Sequence, residues 1–309
     1  MTDLDTNSRK TVTIELEHAH QRVYIDGIEK DHITETILRS NNFYEWQLLY
    51  ALRDYVAPHS TVIDVGANIG NHSLFFAVVC DARVIAYEPL SFVADILQKN
   101  IEQNSLDETI ELRRTAVGDR SGFAAVKSSH ANNVGATALS QLPSNGPIPL
   151  TTLDLDSTGE TISLIKVDAE GMDVAVLRGA IGVITRDRPT LVCEAGDDNA
   201  LKELSEFAIL VGYTFAGKYN ATPTYILVPY TSQNERIIRE ERTSTAIAQH
   251  DLSIRDLRYH IGLTRNLVQK LENAQMRLAE SNPMPKSQEL EARIVALEKL
   301  LLKKPASPE

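Results

Sequence analysis

Seven consecutive residues are the best placed to do chemistry: Asp64-Val65-Gly66-Ala67-Asn68-Ile69-Gly70. The β-branched run Thr61-Val62-Ile63 leads into them, and an amphipathic run, His72 to Val79, leaves them. That order reads as strand, tight glycine turn and helix, which aims the free N–H groups of a helix N-terminus at a ligand. The candidate contacts are Asp64, Gly66, Ala67, Asn68 and Gly70. A dinucleotide fingerprint needs three glycines here, the second so that a pyrophosphate can touch the backbone. Asn68 stands in that place, and Asp64 ends the strand just before the first glycine. An acid there repels phosphate and suits a ligand carrying an ammonium and a sulfonium. S-adenosylmethionine fits, with its amino group on Asp64 directly or through water and its carboxylate at the helix N-terminus.

Further along, Ala86-Tyr87-Glu88-Pro89 ends the next strand, and Glu88 lies one β-α-β step beyond Asp64. A carboxylate at that point can accept both ribose hydroxyls. Thr115-Ala116-Val117-Gly118-Asp119 follows the third strand, making Ala116 and Val117 a candidate wall for adenine and Asp119 its polar partner. The fourth strand ends in Lys166-Val167-Asp168-Ala169-Glu170-Gly171. Period-two alternation puts Lys166, Asp168 and Glu170 on one side while the strand lasts. Two carboxylates and an ammonium at an opening shift one another's pKa. Asp168 or Glu170 is the expected base or orienter of a substrate hydroxyl, with Lys166 and Glu194 as substrate contacts. Asp168 and Glu194 end adjacent candidate strands, where a divalent ion is conceivable, but no recognisable ligand cluster accompanies them and none is expected. His130 is a further candidate base in a polar loop. His72 reads as a structural residue at the start of the first helix, close to the pocket.

Strand and helix patterns that position these residues alternate from Thr61 onward. Strands are expected at Thr61–Val65, Arg83–Tyr87, Ile110–Arg113, Ile162–Asp168 and Thr190–Glu194, with Phe123–Lys127 as an extra strand before a polar loop from Ser128 to Ser140. Helices are expected at Asn71–Val79, from about Ser91 to Asn104, at Val174–Ala180 and at Leu201–Val211, and Tyr213–Phe215 and Tyr225–Val228 finish as short strands. Repeated β-α-β units imply a mainly parallel sheet with helices on both faces, and ligands bind such sheets at the C-terminal strand ends. Ahead of it, Thr11–Leu16 and the stretch around Val23-Tyr24-Ile25 read as a small antiparallel element with Asp26-Gly27 as a turn signal. Phe43 to Val56 shows helical spacing that ends before Pro58.

Beyond Pro229, Asn234 to Ala279 is polar and nearly free of Gly and Pro. Apolar residues recur at Ile247, Ile254, Leu257, Ile261, Val268, Leu271 and Leu278, and again at Leu290, Ile294, Leu297 and Leu301 after Pro283 and Pro285. This reads as a long helix, a break and a short helix with coiled-coil tendency, suited to self-association or a partner helix. The expected division is an N-terminal β/α element, 1–58, a central domain, 59–230, and a helical coiled-coil tail, 231–309, with a break near 281–287.

The 309 residues carry a formal charge of −11, and the first 230 hold 31 acidic side chains against 18 basic. A body that acidic is a poor general binder of nucleic acid or anionic membrane. Cys80 and Cys193 both lie in apolar runs and read as buried free thiols. Met1 to Lys10 lacks a signal-peptide core and no stretch is apolar enough to span a bilayer, so the expected setting is cytoplasmic.

Several of these stretches together resemble the FkbM family of S-adenosylmethionine-dependent methyltransferases. The resemblance runs from roughly Phe43 to Val228: the Tyr44-Glu45 lead-in, Val62 through Gly70, Glu88-Pro89, Ala116 through Asp119, Ile165 through Gly171, and Val176-Leu177-Arg178-Gly179-Ala180. The glycine turn alone is common to many methyltransferases, whereas its combination with Lys-x-Asp-x-Glu-Gly is far more specific. The resemblance implies a Rossmann-like class I methyltransferase sheet, S-adenosylmethionine as cofactor, and O-methylation of a sugar in bacterial glycans or of a natural-product intermediate. It also implies that the loop carrying His130, Asn132, Asn133, Val134 and Gly135 lies near cofactor and substrate, which makes Asn133 a substrate contact. Acceptor specificity is expected to sit in Ser128–Gly146 and the N-terminal element. Two readings compete with methyl transfer. A nicotinamide-dependent oxidoreductase needs a dyad such as Tyr-x-x-x-Lys, which is missing around the fourth strand. A non-catalytic assembly protein organised by the tail sits poorly with the intact acids Asp64, Glu88, Asp168 and Glu170.

Overall fold

The computed structural model describes residues 11–18, 21–130, 133–142, 144–156 and 159–231. The predicted helical tail with its break near 281–287 therefore lies outside the described residues, apart from Thr231. In chain order come β1 (Thr11–His18), β2 (Gln21–Ile28), α1 (His32–Ser40) and α2 (Trp46–Leu52), closed by a 3₁₀ turn, Arg53–Tyr55. Then follow β3 (Thr61–Val65), α3 (Asn71–Val78), β4 (Arg83–Tyr87), α4 (Ser91–Gln103), β5 (Ile110–Arg113), β6 (Ala116–Val117), β7 (Gly122–His130), β8 (Asn133–Leu142) and β9 (Ile148–Thr151). The rest are α5 (Leu153–Asp156), β10 (Ile162–Val167), α6 (Asp173–Arg178), α7 (Ile181–Asp187), β11 (Thr190–Glu194), α8 (Asp198–Val211), β12 (Tyr213–Tyr219) and β13 (Thr224–Pro229).

Seven strands form the central sheet in the order β12-β13-β11-β10-β3-β4-β5. β3, β4, β5, β10 and β11 run parallel, while β13 is antiparallel to β11 and to β12. The chain winds outward from β3 through β4 to β5, then returns to lay β10 and β11 on the other side. The switch in strand order therefore falls between β3 and β10, where open parallel sheets form a crevice at their C-terminal ends. Every residue of β3 is buried, as a strand covered on both faces requires. Val62 faces a core made with Phe75, Leu97, Leu48 and the β1–β2 residues Leu16 and Ile25, whereas Ile63 and Val65 face Leu177, Ile184 and Leu204 of the opposite helices. One face thus carries α3, α4 and the N-terminal segment; the other carries α6, α7 and α8.

Three features differ from the sequence expectation. Asp26-Gly27 is not a turn but part of β2, with Asp26 opposite Thr13 and Gly27 opposite Val12. Asp26 is buried, accepts a 2.6 Å bond from Thr13 Oγ1 and pairs with Lys99. Gly27 is small because Thr34 packs on it: an added Cβ would lie 2.5 Å from Thr34 Oγ1. The second is the polar stretch expected as a loop, which forms the antiparallel β7–β8 ribbon. β8 is half-buried almost throughout, so it lacks the alternation that marks a strand packed on one face. Finally, α1, α7 and β9 carried no assignment; with β6 and the β7–β8 ribbon, β9 builds a four-stranded side sheet of order β6-β9-β7-β8.

Candidate active site

At the end of β3 the chain turns sharply, because the backbone N–H groups of Gly66 and Ala67 both donate to the carbonyl of Tyr87, each at 3.0 Å. Gly66 is left-handed (φ +75), and a Cβ there would overlap the backbone oxygen of Asp168. The glycine is therefore required by the close approach of the segment leaving β10, independent of any ligand. Gly70 is also left-handed (φ +93), with Leu97 in the space a Cβ would take. Asn68 adopts φ +52, and its Oδ1 accepts from Ile69 N at 2.7 Å. An asparagine tolerates this conformation because its short amide bonds locally.

Glu88 clamps the turn from the neighbouring strand end. Its Oε2 accepts from Asn68 N at 3.0 Å and its Oε1 from Leu90 N at 2.8 Å. The side chain is only 5% exposed yet lines the cavity described below. Burial pushes its pKa up to about 7, against the pull of the two N–H groups and of Lys166. Asp64 is fully buried beneath the turn, where it accepts from Ser73 Oγ at 2.6 Å and pairs with Lys166 Nζ at 3.1 Å. Lys166 also donates to the carbonyl of Gly66 at 3.1 Å and stands 3.6 Å from Asp168. Asp64 raises the ammonium's pKa despite a larger opposing effect of burial. Lys166 thus ties β10 to β3 and to the base of the turn.

These groups surround a cavity of about 300 Å³ at the switch in strand order. One wall is acidic. Asp168 leaves β10 with its N–H on Val65 O, and Glu170 follows in a left-handed conformation (φ +42). The carboxylate of Asp173 accepts from Ala169 N and Gly171 N and shapes this bend. Burial, then repulsion from Asp168, pushes Glu170 up to about 7, Asp173 to about 6 and Glu194 to about 8. The opposite wall comes from elements outside the β-α-β repeat: His32, Ile33, Tyr44 and Glu45 from the N-terminal segment, and Asn133, Val134 and Gly135 from β8. Asp31 joins these two pieces, accepting from Val134 N at 2.9 Å and capping α1 through Ile33 N at 3.1 Å.

Of the residues singled out from the sequence, Gly66, Ala67, Asn68, Glu88, Ala116, Val117, Asn133, Lys166, Asp168, Glu170 and Glu194 line the cavity. Asp64 and Gly70 lie behind the wall instead. For Asp64 the reason is that its two oxygens are taken up by Ser73 and Lys166, which differs from a direct contact with a ligand amine. Asp119 is exposed on the loop after β6 and is not part of the lining. His130 ends β7, and its side chain lies outside what the structure describes. The sequence reading named Tyr44 and Glu45 only as a family lead-in with no site role, passed over Asp173 and Asn220, and gave His72 only a structural role. No spacing rule connects residues 44, 72, 173 and 220, so only the fold brings them together. Among the described residues, no group of three or more His, Cys, Asp or Glu side chains is arranged to hold a metal ion. Cys80 and Cys193 are buried free thiols. No helix among the described residues is long and apolar enough to cross a membrane.

A mostly parallel sheet with helices on both faces, and a glycine turn and a strand-end acid at its switch point, define an α/β fold that resembles class I methyltransferases. Residues 64–215 match the family model for the methyltransferase FkbM domain. Among solved structures the chain is similar to methyltransferase FkbM from Methylobacillus flagellatus KT, at 19% identity over 55% of this chain and 43% of that one, with a TM-score of 0.44. The match therefore spans less than half of that protein's length. It is also similar to a precorrin-6y C5,15-methyltransferase from Geobacter metallireducens GS-15 (15% identity, 60% of this chain, 88% of that one, TM-score 0.39). The delta-N METTL16 MTase domain gives 14% identity over 61% of this chain and 82% of that one, with a TM-score of 0.42. No curated protein matches the chain.

Proposed function

We propose that this chain is an S-adenosylmethionine-dependent O-methyltransferase whose acceptor is a hydroxyl on a sugar or a natural-product intermediate. The observation that carries the reading is Glu88, an almost fully buried carboxylate held at the end of β4 yet lining the cavity beside the glycine turn. Each of its oxygens spends one lone pair on a backbone N–H, so a further pair on each is free for a ribose hydroxyl. The donor set fits the cofactor: an acid for the ribose, backbone N–H groups at the start of α3 for a carboxylate, and the apolar pair Ala116 and Val117 for the base. S-adenosylmethionine, when bound, supplies a methyl group made electrophilic by its sulfonium. The chain's own part is to align an acceptor oxygen and take its proton. Asp168, Glu170 and Glu194 suit a polyhydroxyl acceptor, since carboxylates accept hydroxyl hydrogen bonds and protonated ones also donate. The division at residues 58 and 230, and a role for the tail in self-association or partner binding, belong to the same proposal.

Calorimetric titration with S-adenosylmethionine tests it. Wild-type protein is expected to bind, and Glu88→Gln to bind about tenfold more weakly, equivalent to ~1.4 kcal/mol. A Gln amide cannot accept from both Asn68 N and Leu90 N, so a thermal melt accompanies the titration. Binding of NADH in place of S-adenosylmethionine would sink the assignment, as would equal affinity in the variant. Transfer of labelled methyl from S-adenosylmethionine to a panel of sugars and their O-blocked analogues then tests the acceptor.

A further inference from the structure

Glu45 holds a position that its local structure does not explain. It is the residue before α2, where a side chain normally caps the first turn, but it makes no capping bond. Its backbone is left-handed (φ +56, ψ 34), which a glutamate rarely adopts. The neighbouring backbone is held in place by Asn71 at the start of α3: Tyr44 N donates to Asn71 Oδ1 at 2.9 Å, and Asn71 Nδ2 donates to Tyr44 O at 3.1 Å. The next residue of α3, His72, places Nε2 3.4 Å from Glu45 Oε2. Both side chains are largely buried and both line the cavity, as does Asn220 from the β12–β13 connection. At that 3.4 Å separation Nε2 of His72 is buried and makes no hydrogen bond among the described residues, so Glu45 faces it as a charge rather than as a bonded partner. Strained backbone held by its surroundings in a cavity wall is a reason to look for a function.

We propose that His72 is the catalytic proton acceptor of this cavity and that Glu45 is the positioning residue that orients its ring. The proposal rests on the methyl-transfer reading above and adds the acid–base unit to it. The acceptor's O–H bond breaks and its proton passes to a ring nitrogen of His72. The acceptor oxygen forms the new bond to the methyl carbon as the carbon–sulfur bond of the sulfonium donor breaks, with that electron pair staying on sulfur as a neutral thioether. The positive charge ends on the imidazolium, facing the Glu45 carboxylate. This is the division of labour of a base oriented by a buried acid. The other acids of the wall are less free to act. Asp168 is engaged with Lys166, and burial and mutual repulsion favour the protonated forms of Glu170 and Glu194. Burial works to raise the Glu45 carboxyl, but the adjacent His72 imidazole outweighs it and holds Glu45 below the usual carboxylate range, so Glu45 stays ionised. The remaining ionisable groups of the wall are Lys166 on β10, Tyr44 beside Glu45, and His32 on α1.

The test uses the full chain and diethyl pyrocarbonate, which acylates neutral imidazole, with modification of each of the eight histidines followed by mass spectrometry. His72 is expected to be modified and its modification to be slowed about tenfold or more by S-adenosylhomocysteine, whose binding is verified by calorimetry. Glu45→Gln is expected to change the rate at which His72 is modified by about threefold or more, because it removes the carboxylate 3.4 Å from the ring, and Glu45→Asp to retain the wild-type rate. If Glu45→Gln does not fold, Glu45→Asn serves, since asparagine tolerates the left-handed backbone. An unreactive His72, binding without protection, or a rate that Glu45→Gln leaves unchanged overturns the pair while leaving the methyl-transfer reading intact. Absence of S-adenosylhomocysteine and S-adenosylmethionine binding in the calorimeter overturns the methyl-transfer reading, and the pair with it.

Discussion

Gly66 and Gly171 share a left-handed conformation but differ in what surrounds them. At Gly66 (φ +75) a Cβ would strike the backbone of Asp168; at Gly171 (φ +87) nothing lies within 4 Å. Gly171→Ala should therefore cost only the conformational strain, about 1–2 kcal/mol, and leave cofactor binding in place. Gly66→Ala adds a clash with backbone that cannot move without displacing β10, so its thermal midpoint should fall further and S-adenosylmethionine binding should be lost. Equal effects in paired melts and titrations would show that the approach of Asp168 does not matter. The turn was legible because its residue types are dictated locally, by backbone angles and by the start of a helix. The burial of Asp64 was not, because its partner Lys166 lies on another strand, 102 positions away.

At the scale of elements, α4 does more than cover the sheet. Asn100 is fully buried: its Oδ1 accepts from Asp26 N at 2.6 Å, and its Nδ2 donates to Asp26 O at 3.0 Å and to Ile69 O at 2.7 Å. One side chain thus joins the N-terminal hairpin to the glycine turn. Asn100→Ala leaves these groups unpaired and should destabilise by about 3 kcal/mol in urea denaturation, with weaker cofactor binding through the loosened Ile69. A loss below about 1 kcal/mol would mean that water replaces the amide. Elements buried on both faces, such as β3 and β4, stand out in the sequence as apolar runs. The β7–β8 ribbon does not, because its residues are half-covered and follow no period. α1 is hidden for a related reason: its buried face is narrow, with only Thr34 and Ile37 inside.

For the whole molecule, acid gathered at one cavity sets a pH dependence. Unfolded, these carboxylates titrate near their ordinary values; folded, Asp173 sits at about 6, Glu88 and Glu170 at about 7 and Glu194 at about 8. Between those limits the folded chain keeps protons that the unfolded chain has released. Stability from these groups is fully present below the unfolded values and is lost as pH rises through about 6 to 8. The cofactor-free thermal midpoint should fall across that range, and Glu194→Gln should flatten the fall. A profile that is level or rises over the same interval, or one that Glu194→Gln leaves unchanged, would contradict the raised values.

The sequence by itself determined the β-α-β repeat, the place of the glycine turn, and the acids Glu88, Asp168, Glu170 and Glu194 at strand ends. Each follows from short-range rules: burial on two faces, backbone angles, and alternation along a strand. Only the tertiary structure decided which groups meet. It buried Asp64 against Lys166, left Asp119 outside the cavity, and brought Tyr44, Glu45 and Asn220 beside His72 and the strand ends. Those contacts join residues distant in sequence, and no local period records a contact made across a fold.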